Sequence, residues 1–300
     1  MSVRDLAFRN TKDPGRCAVT NPYLPEMATI EKIEQETPNI KTFYIKRDGG
    51  NFDYNPGQFC IIGVPGVGDC SISIGNTPTK REHLELTIMK VGAVTEKLHG
   101  MKVGDRVTLR GPYGNGFPKD ALKGMNISYM AGGVGFSAIS NMLTYSLDKR
   151  SDYGKIEILY GAKTPADQVF KNKIFEWAKV KDVEVKRSCD KGDSTWKEDV
   201  GVVGQYYDPN FKNRSRLLFE IDPGFKNTAI VISGPPVMIK FTLIGLDKIG
   251  FPKDKIFASL EARMNCGCGK CGRCNVGHNY VCQDGPVFTS AQIAAMPAAF

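Results

Sequence analysis

The residues with the clearest potential for chemistry are five cysteines crowded into one C-terminal segment. The chain has nine cysteines, and five of them lie within the seventeen residues from Cys266 to Cys282. The other four are scattered along the chain: Cys17, Cys60, Cys70 and Cys189. Because cytoplasmic thiols are kept reduced and seldom form structural disulfides, this crowding indicates a metal site.

The spacing of four of these cysteines is C-x4-C-x2-C-x7-C, over Cys266, Cys271, Cys274 and Cys282. The first three match the plant-type [2Fe-2S] pattern, in which a fourth cysteine follows later. Such a cluster needs four thiolates that converge on two irons. The intervening glycines let backbone amides approach the sulfurs, where hydrogen bonds tune the potential. We therefore predict these four cysteines as the ligands.

Two other interpretations of the cysteine segment remain open from the sequence. The C-x2-C pairs together with His278 also suit a structural zinc site. A second set, C-x-C-x2-C-x2-C, runs through Cys268 and ends at Cys274. It leaves Cys282 without a role, so it ranks below the first set.

Two glycine-containing turns in the second half of the chain favour nucleotide binding. AGGVGFSA (131–138) follows an apolar strand and opens a helix, and a helix N-terminus presents free amides to a pyrophosphate. ISGPPVM (232–238) turns the chain at the end of another strand. A simple strand-to-helix turn and a simple strand terminator are the alternatives. The predicted NAD(P)-binding residues are Gly132, Gly133, Gly135, Ser233, Gly234, Pro235 and Pro236.

A further phosphate-binding turn is predicted in the first half of the chain. Gly92, Val94 and Thr95 lie at the start of a short helix, where backbone amides can hold a phosphate group. GPYGNGFP (111–118) then closes this part of the chain. Taken singly, each of these segments is a weak signal, and an ordinary turn or helix cap is the simpler interpretation.

The order of the predicted elements indicates two domains and an appendage. Short strands separated by turns, such as IKTFYIKR, FCIIGVP, LELTIMK and RVTLRGP, predict an antiparallel β-barrel over residues 25–118. Strands that alternate with helices predict an α/β doubly wound parallel sheet over 119–250. Residues 251–300 form the cluster module, and residues 1–24 an N-terminal extension. Hydride transfer is expected to need only the first two domains, so a chain cut at residue 250 should keep it.

Composition and charge exclude several other classes of protein. The chain is 41% hydrophobic and 24% charged, as in ordinary globular proteins, and its net charge of +8 is scattered. It has no Lys/Arg block of the kind that binds nucleic acid. The N-terminus lacks a signal-peptide pattern, and prolines and a lysine interrupt the longest apolar run, residues 229–246. The sequence therefore predicts a cytoplasmic protein without a membrane span.

Taken in order, the barrel, the GPYG, GGVG and SGPP segments and the cysteine tail resemble the ferredoxin–NADP reductase superfamily. With its tail, the chain is similar to the iron–sulfur flavoprotein branch. That branch includes the dihydroorotate dehydrogenase electron-transfer subunit, the gamma subunit of NAD(P)-linked hydrogenase or sulfhydrogenase, and the corresponding subunit of anaerobic sulfite reductase. The segments NPYLPEMATIEKIEQETPNIKTF, YGAKTPADQVF, GPPVM and SLEARMNCGCGKCGRCNVGHNYVCQDGPVF resemble the gamma subunits most.

The resemblance implies where a flavin binds, and it exposes departures from the family pattern. The family holds its flavin on an Arg-x-Tyr-Ser-like strand, which falls here on residues 70–73, where only Ser73 matches. The family's Cys-Gly-Pro motif reads Ser233-Gly234-Pro235, and its glycine loop ends in Ser137-Ala138 instead of Ala-Pro. FAD is implied rather than FMN. The implied flavin-binding residues are Ser71, Ile72, Ser73, Gly92, Val94 and Thr95.

The resemblance implies a protein that moves electrons between NAD(P)H, FAD and a [2Fe-2S] cluster. Because the chain has no second substrate domain, its partners are expected to be other subunits of a hydrogenase, sulfhydrogenase or related reductase that carry further iron–sulfur clusters. No residue is predicted to be catalytic by itself. The rival interpretations are a self-contained NAD(P)H-dependent flavin reductase and a zinc-stabilised regulatory module. The choice between NADH and NADPH stays open, with Lys163 and Arg187 as candidates for contact with a 2′-phosphate.

Overall fold

The first part of the chain forms an antiparallel barrel-like sheet of six strands. The computed structural model describes residues 21–208 and 217–297, and residues 1–20 of the predicted extension lie outside them. The strands pair in the order β4-β3-β6-β1-β2-β5, and every pair is antiparallel. This confirms the predicted barrel. Its elements are β1 (Glu26–Thr37), β2 (Ile40–Arg47), β3 (Phe59–Val64), β4 (Gly68–Ser73), β5 (Leu84–Met89), helix α1 (Ala93–His99) and β6 (Arg106–Tyr113).

Alternation of apolar and polar residues explains why these strands close around a core. In β6, Val107 and Leu109 are buried while Arg106 is exposed, because successive side chains of a strand point to opposite faces. Val107 and Leu109 pack with Phe43 and Ile45 of β2 inside the barrel. The alternation thus determines which face of each strand points into the barrel core and which face points outward, where a ligand can bind.

The second part is a seven-stranded sheet with helices between the strands. The strand order is β10-β9-β8-β7-β11-β12-β15, parallel except for the last strand, which confirms the predicted doubly wound α/β sheet. Both faces are covered, and β8 and β11 are buried along their whole length. The elements are β7 (Asn126–Gly132), α2 (Phe136–Asp148), β8 (Ile156–Ala162), α3 (Lys171–Trp177), β9 (Val183–Cys189), β10 (Asp199–Val200), β11 (Thr228–Ser233), α4 (Pro236–Lys248), β12 (Ile256–Ser259) and β15 (Val287–Thr289).

The remaining elements of the described residues are short strands, short helices and turns of 3₁₀ helix. In the cysteine segment, β13 (Asn275–Val276) and β14 (Asn279–Tyr280) form a two-stranded hairpin, followed by α5 (Val281–Asp284) and α6 (Ser290–Ala294). Turns of 3₁₀ helix occur at Gly133–Gly135, Arg150–Asp152, Pro165–Asp167, Val203–Tyr207, Leu218–Ile221, Pro223–Phe225 and Lys253–Lys255. None of the described helices has both the length and the apolar character needed to cross a lipid bilayer.

The C-terminal segment continues the second sheet across the predicted boundary at residue 250. β12 pairs in parallel with β11 over four residues, and β15 pairs with β12. Phe257 and Phe288 are buried in these two strands. The cluster segment is therefore built into the sheet, and the expectation that it can be removed without loss to the first two domains does not agree with this packing.

Hydrogen bonds join the barrel to the second sheet directly beyond β4. In the first half of α2, Ser140 Oγ donates to the Gly75 carbonyl oxygen (2.7 Å) and Asn141 Nδ2 donates to the Ile74 carbonyl oxygen (2.6 Å). All four residues are buried. Because α2 follows the glycine loop, these contacts hold the predicted flavin strand and the predicted nucleotide loop in a fixed relation.

Candidate functional site

The cysteine loop brings the four predicted ligands together as two pairs of thiols. The side chain of Cys271 lies close enough to Cys266 to affect the protonation of the Cys266 thiol, and the side chain of Cys274 lies equally close to Cys282 in this sense. Cys266, Cys274 and Cys282 are buried, while Cys271 is exposed. The loop thus offers two neighbouring pairs of sulfurs.

Backbone amides point at the sulfurs of both pairs. The amides of Lys270 and Cys271 donate to Cys266 Sγ (3.3 and 3.4 Å), and the Gly269 amide donates to Cys282 Sγ (3.2 Å). Burial raises the pKa of the Cys266 thiol, but the backbone hydrogen bonds it accepts outweigh burial and lower this pKa to about 6. Amide donors of this kind stabilise thiolates and set the potential of a cluster that they ligate.

A [2Fe-2S] cluster fits this arrangement, since each of its two irons takes two protein thiolates. Over residues 21–208 and 217–297, no three Cys, His, Asp or Glu side chains meet at a single point suited to one metal ion. The pairing of Cys266 with Cys271 and of Cys274 with Cys282 supplies two ligands to each of two adjacent positions. The ligand assignment itself remains a prediction.

The fifth cysteine has a different environment. Cys268 hydrogen-bonds with the Tyr23 hydroxyl, an interaction that, with burial, raises the pKa of Tyr23 to about 12. Residues 21–24 of the predicted extension thus lie against the cysteine loop, and the Tyr113 hydroxyl donates to the Pro22 carbonyl oxygen (2.5 Å). A cavity of about 210 Å³ lies here, lined by Pro22, Tyr113, Gly114, Gly267, Cys268, Cys282 and Gln283. The sequence did not reveal this contact, because about 245 residues separate Tyr23 from Cys268.

The predicted flavin strand presents its two serines on the outer face of the barrel. In the register of the sheet, Ser71 lies opposite Ile61 of β3, which in turn lies opposite Arg110 of β6. Directly paired residues share one face of a sheet. Ile72 lies opposite Cys60 and packs against the barrel core. The half-exposed outer face of β4 therefore offers Ser71 and Ser73 to a ligand, and Ile72 faces away from it.

The predicted phosphate turn lies beside this strand. Val94 contacts β4, because a Cβ placed on Gly68 would approach Val94 Cγ2 to 3.3 Å. Thr95 is buried, and its hydroxyl accepts from the Val91 and Gly92 amides (2.9 and 3.0 Å) and donates to the Gly92 carbonyl oxygen (2.9 Å). Thr95 therefore shapes the turn, while Gly92 is exposed at the start of α1.

The two predicted nucleotide-binding turns meet at the carboxyl ends of neighbouring strands. β7 carries Gly132 and β11 carries Ser233, and the two strands pair in parallel. β8 lies on one side of β7 and β11 lies on the other, so the strand order reverses between β7 and β11. Open α/β sheets bind ligands at such a switch point, and the two turns flank it here. Gly135 and Gly234 pack backbone to backbone, since a Cβ on Gly135 would lie 2.6 Å from Gly234 Cα. The structure thus brings together residues that lie about 100 positions apart.

Gly133 is the residue of this loop that is free to meet a dinucleotide. Its φ is +55°, and a Cβ placed on it would meet no atom within 4 Å. Pro235 and Pro236 begin α4, and Met238 of that helix packs against Gly132. Backbone amides at the start of α2 are therefore reachable across an open surface at Gly133.

Gly133→Val is expected to raise the KM for NADH or NADPH at least about tenfold and to leave the flavin content unchanged. The valine adds bulk where the pyrophosphate approaches, in a left-handed conformation that costs roughly 1–2 kcal/mol. Gly124→Val is the matched control, because Gly124 has a similar φ of +77°, equally open surroundings and a place before the other end of β7. Steady-state kinetics and flavin absorbance measure both. If Gly133→Val loses its flavin and Gly124→Val does not, the loop binds the flavin and not the dinucleotide.

Arg110 links the flavin strand to the cluster loop, and sequence reasoning missed it. Its guanidinium donates to the carbonyl oxygens of Asn265 (2.7 Å) and Cys266 (3.1 Å) and to the carboxylate of Asp69 in β4 (2.7 Å). Its side chain is only 11% exposed. An arginine that is largely shielded from solvent and donates to three separate oxygens fixes geometry, so it holds the loop that carries Cys266 against the barrel.

The GPYG segment forms the rest of this contact with the cysteine segment. Asn115 Nδ2 donates to the carbonyl oxygens of Asp284 (2.9 Å) and Val287 (2.8 Å), and the Asn115 amide donates to the Gly285 carbonyl oxygen (2.7 Å). The Tyr113 ring packs on Gly267, where a Cβ would lie 2.7 Å from it. A segment interpreted as a closing turn thus joins the barrel to the cluster loop.

Arg187 is already paired inside the protein. Its guanidinium contacts the Glu198 carboxylate and the Gln168 side chain, and it lies 4.9 Å from the Phe175 ring and 5.3 Å from the Trp196 ring. It is therefore not free to meet a 2′-phosphate unless the pair with Glu198 opens. Lys163 stands exposed just after β8.

Three family models match successive parts of the chain. Residues 27–117 match the oxidoreductase FAD-binding domain, and residues 129–243 match the oxidoreductase NAD-binding domain. Residues 261–294 match the iron-sulfur cluster binding domain of dihydroorotate dehydrogenase B. Fold and site together define an oxidoreductase with FAD, NAD and [2Fe-2S] cofactors, which confirms the predicted cofactors.

Among curated proteins, the chain is 35% identical over 289 residues to sulfhydrogenase 1 subunit gamma of Pyrococcus furiosus, covering 92% of this chain and 94% of that protein. It is 37% identical to sulfhydrogenase 2 subunit gamma of the same organism, covering 90% and 96%. A probable dihydroorotate dehydrogenase B electron transfer subunit of Methanocaldococcus jannaschii is 30% identical, with 88% and 89% covered. The chain belongs to this family of iron–sulfur flavoprotein electron-transfer subunits.

Solved structures show the same fold. An NADH-dependent reduced ferredoxin-NADP oxidoreductase matches with a TM-score of 0.68 at 22% identity, over 91% of this chain and 90% of that one. The ferredoxin reductase of carbazole 1,9a-dioxygenase matches with a TM-score of 0.63 at 25% identity, over 79% and 69%. The ferredoxin reductase type of fold predicted from the order of motifs is therefore confirmed.

Proposed function

We propose that this chain exchanges electrons with NAD(P)H and passes them through FAD and a [2Fe-2S] cluster to a partner hydrogenase or reductase subunit in the cytoplasm. The observation that carries the proposal is the Arg110 contact, which joins β4 to the loop of predicted cluster ligands. When bound, the flavin exchanges a hydride with the nicotinamide and single electrons with the cluster. An electron path through the protein requires these groups to lie close together.

The residues of the chain have separate tasks in this scheme. Gly133 and the start of α2 bind the dinucleotide, and Gly135 packed on Gly234 holds the two turns at the switch point. Ser233 is buried at the end of β11 and carries a hydroxyl at this edge of the sheet. Its predicted role is to hydrogen-bond near the site of hydride transfer.

The names of the similar proteins support a partner. The curated relatives are gamma subunits of sulfhydrogenases and electron transfer subunits of a dihydroorotate dehydrogenase. The chain covers nearly the whole length of each of these proteins, so their names favour a subunit over a self-contained reductase. Isolation of the native complex would identify the partner.

The isolated chain is expected to reduce an artificial dye with NAD(P)H but to show no hydrogen, sulfur or sulfite turnover until its partner subunits are added. Native mass spectrometry and size-exclusion chromatography of the protein from its source cells measure the complex. Dye reduction by the purified chain is the control for loaded cofactors. A chain that elutes alone and has full activity on a small molecule would make it a self-contained reductase instead.

A further inference from the structure

One predicted cluster ligand lies at the protein surface. Cys266, Cys274 and Cys282 are 7%, 2% and 0% exposed, whereas Cys271 is exposed, as are all residues from Lys270 to Arg273. We call Lys270–Arg273 the Cys271 edge. A cluster bound by these cysteines has its shortest path to the outside through this edge.

The Cys271 edge carries positive charge that no described side chain neutralises. Lys270 and Arg273 flank Cys271 in the sequence, and among the described residues neither side chain has a hydrogen bond or an ion pair. By contrast, Arg106, Arg110 and Arg187 are each paired with a carboxylate. The surrounding residues 261–280 contain three Lys or Arg residues and one acid, Glu261.

Unpaired charges around an exposed redox ligand suit a partner of opposite charge. Complementary charges at an interface raise the rate of encounter and orient the partner, and their effect falls as salt concentration rises. Cations next to Cys271 would attract acidic side chains and bring the partner's redox centre to the cluster. A [2Fe-2S] centre with four thiolates is itself anionic, so these two cations keep the edge from repelling an acidic partner.

We propose that the Cys271 edge is the docking surface for an electron-exchanging protein whose contact face is acidic. The inference rests on the proposed function and adds the place and the charge of the contact. In each transfer one electron leaves the reduced cluster and reduces one partner centre. Oxidation of one NADH or NADPH yields two electrons and releases one proton to solvent, so two one-electron acceptors are reduced for each nucleotide oxidised.

Two forms of one acceptor protein test the charge directly. Native cytochrome c is basic, and succinylation of its lysines makes it acidic while the haem stays the same. The cofactor-loaded full chain is mixed with NADH or NADPH and each form, and haem reduction is followed at several ionic strengths. The rate of a cluster-free Cys274→Ser chain gives the direct flavin contribution, which is subtracted.

Charge reversals at the edge are expected to change the preference between the two acceptors. The measured quantity is the rate of reduction of succinylated cytochrome c divided by that of native cytochrome c. Lys270→Glu and Arg273→Glu should each lower this ratio about tenfold at low salt, which is within the range of electrostatic steering. The effect should be smaller at high salt, because salt screens the charges. Lys102→Glu is the matched control and should keep the ratio within about twofold. Lys102 is also exposed, and its side chain has no ion pair among the described residues. It differs in position, because it precedes the start of β6, whereas Arg110, which contacts the cluster loop, lies in the second half of that strand.

The outcomes separate this inference from the proposed function. Suppose that NADH or NADPH reduces the cluster in every variant. If the rate ratio then stays constant in Lys270→Glu and Arg273→Glu, or if Lys102→Glu changes the ratio as much as they do, the docking inference is wrong and the electron path stands. If neither nucleotide reduces the cluster even in the unaltered chain, the proposed function itself fails.

Discussion

A chain with Cys274→Ser is expected to lose its iron–sulfur cluster completely, whereas Cys268→Ser should retain it. Cys274 is 2% exposed and lies beside Cys282, so solvent has little access to replace its thiolate as a ligand. Cys268 instead contacts Tyr23 and lies outside both thiol pairs. Iron content, visible absorption and the EPR signal of the reduced protein measure the cluster.

The same variants decide between the ligand sets that the sequence leaves open. Flavin absorbance is the internal control, because it should stay unchanged in both variants if the barrel is intact. A colourless Cys268→Ser protein together with a cluster-bearing Cys282→Ser protein would establish the C-x-C-x2-C-x2-C set. A protein that binds zinc stoichiometrically and no iron would support the structural zinc site.

A chain cut after residue 250 is expected not to fold, although the sequence alone predicts a functional two-domain fragment. The cut removes β12, which pairs with β11 in the second sheet, and β15 beyond it. It also removes the buried side chains of Phe257 and Phe288. Loss of one buried phenylalanine side chain costs about 3–5 kcal/mol, against a total stability of about 5–15 kcal/mol for a typical domain.

Soluble yield, circular dichroism and thermal unfolding measure this effect. The full-length Cys271→Ser chain is the control, because it should lack the cluster but keep both strands. A truncated protein that stays yellow, folded and active with dyes would show that the first two domains are independent of the tail.

Regular elements of the fold were predictable because their apolar patterns are local. IKTFYIKR predicts a strand over residues 40–47, which is β2 as observed, and the segment FSAISNMLTYSLDK (136–149) predicts a helix, which is α2 over Phe136–Asp148. The segment QVFKNKIFEWAKV (168–180) also predicts a helix, but α3 spans only Lys171–Trp177. Phe170 has a left-handed φ of 57°, so it cannot continue the helix toward the N-terminus. β12 and β15 have four and three residues, too few for a periodic signal.

The site was predictable where function requires a short motif, and not where it requires distant contacts. Gly133 and Gly234 belong to turns with recognisable residue types, and the thiol spacing indicated the cluster. The contact of Arg110 with Asn265 joins residues about 155 positions apart, and an arginine in a strand has no pattern that predicts such a contact. Inward or outward orientation in β4 also depends on register, so the opposite directions of Ile72 and Ser71 appear only in the folded sheet.

The most direct test of the account is to add NADH or NADPH to the oxidised, cofactor-loaded chain without oxygen and record its EPR spectrum. One of the nucleotides is expected to produce the signal of a reduced [2Fe-2S] cluster along with bleaching of the flavin, and Cys274→Ser is expected to show only the bleaching. A flavin that is reduced while an intact cluster stays oxidised with both nucleotides would contradict an electron path from the nucleotide through the flavin to the cluster.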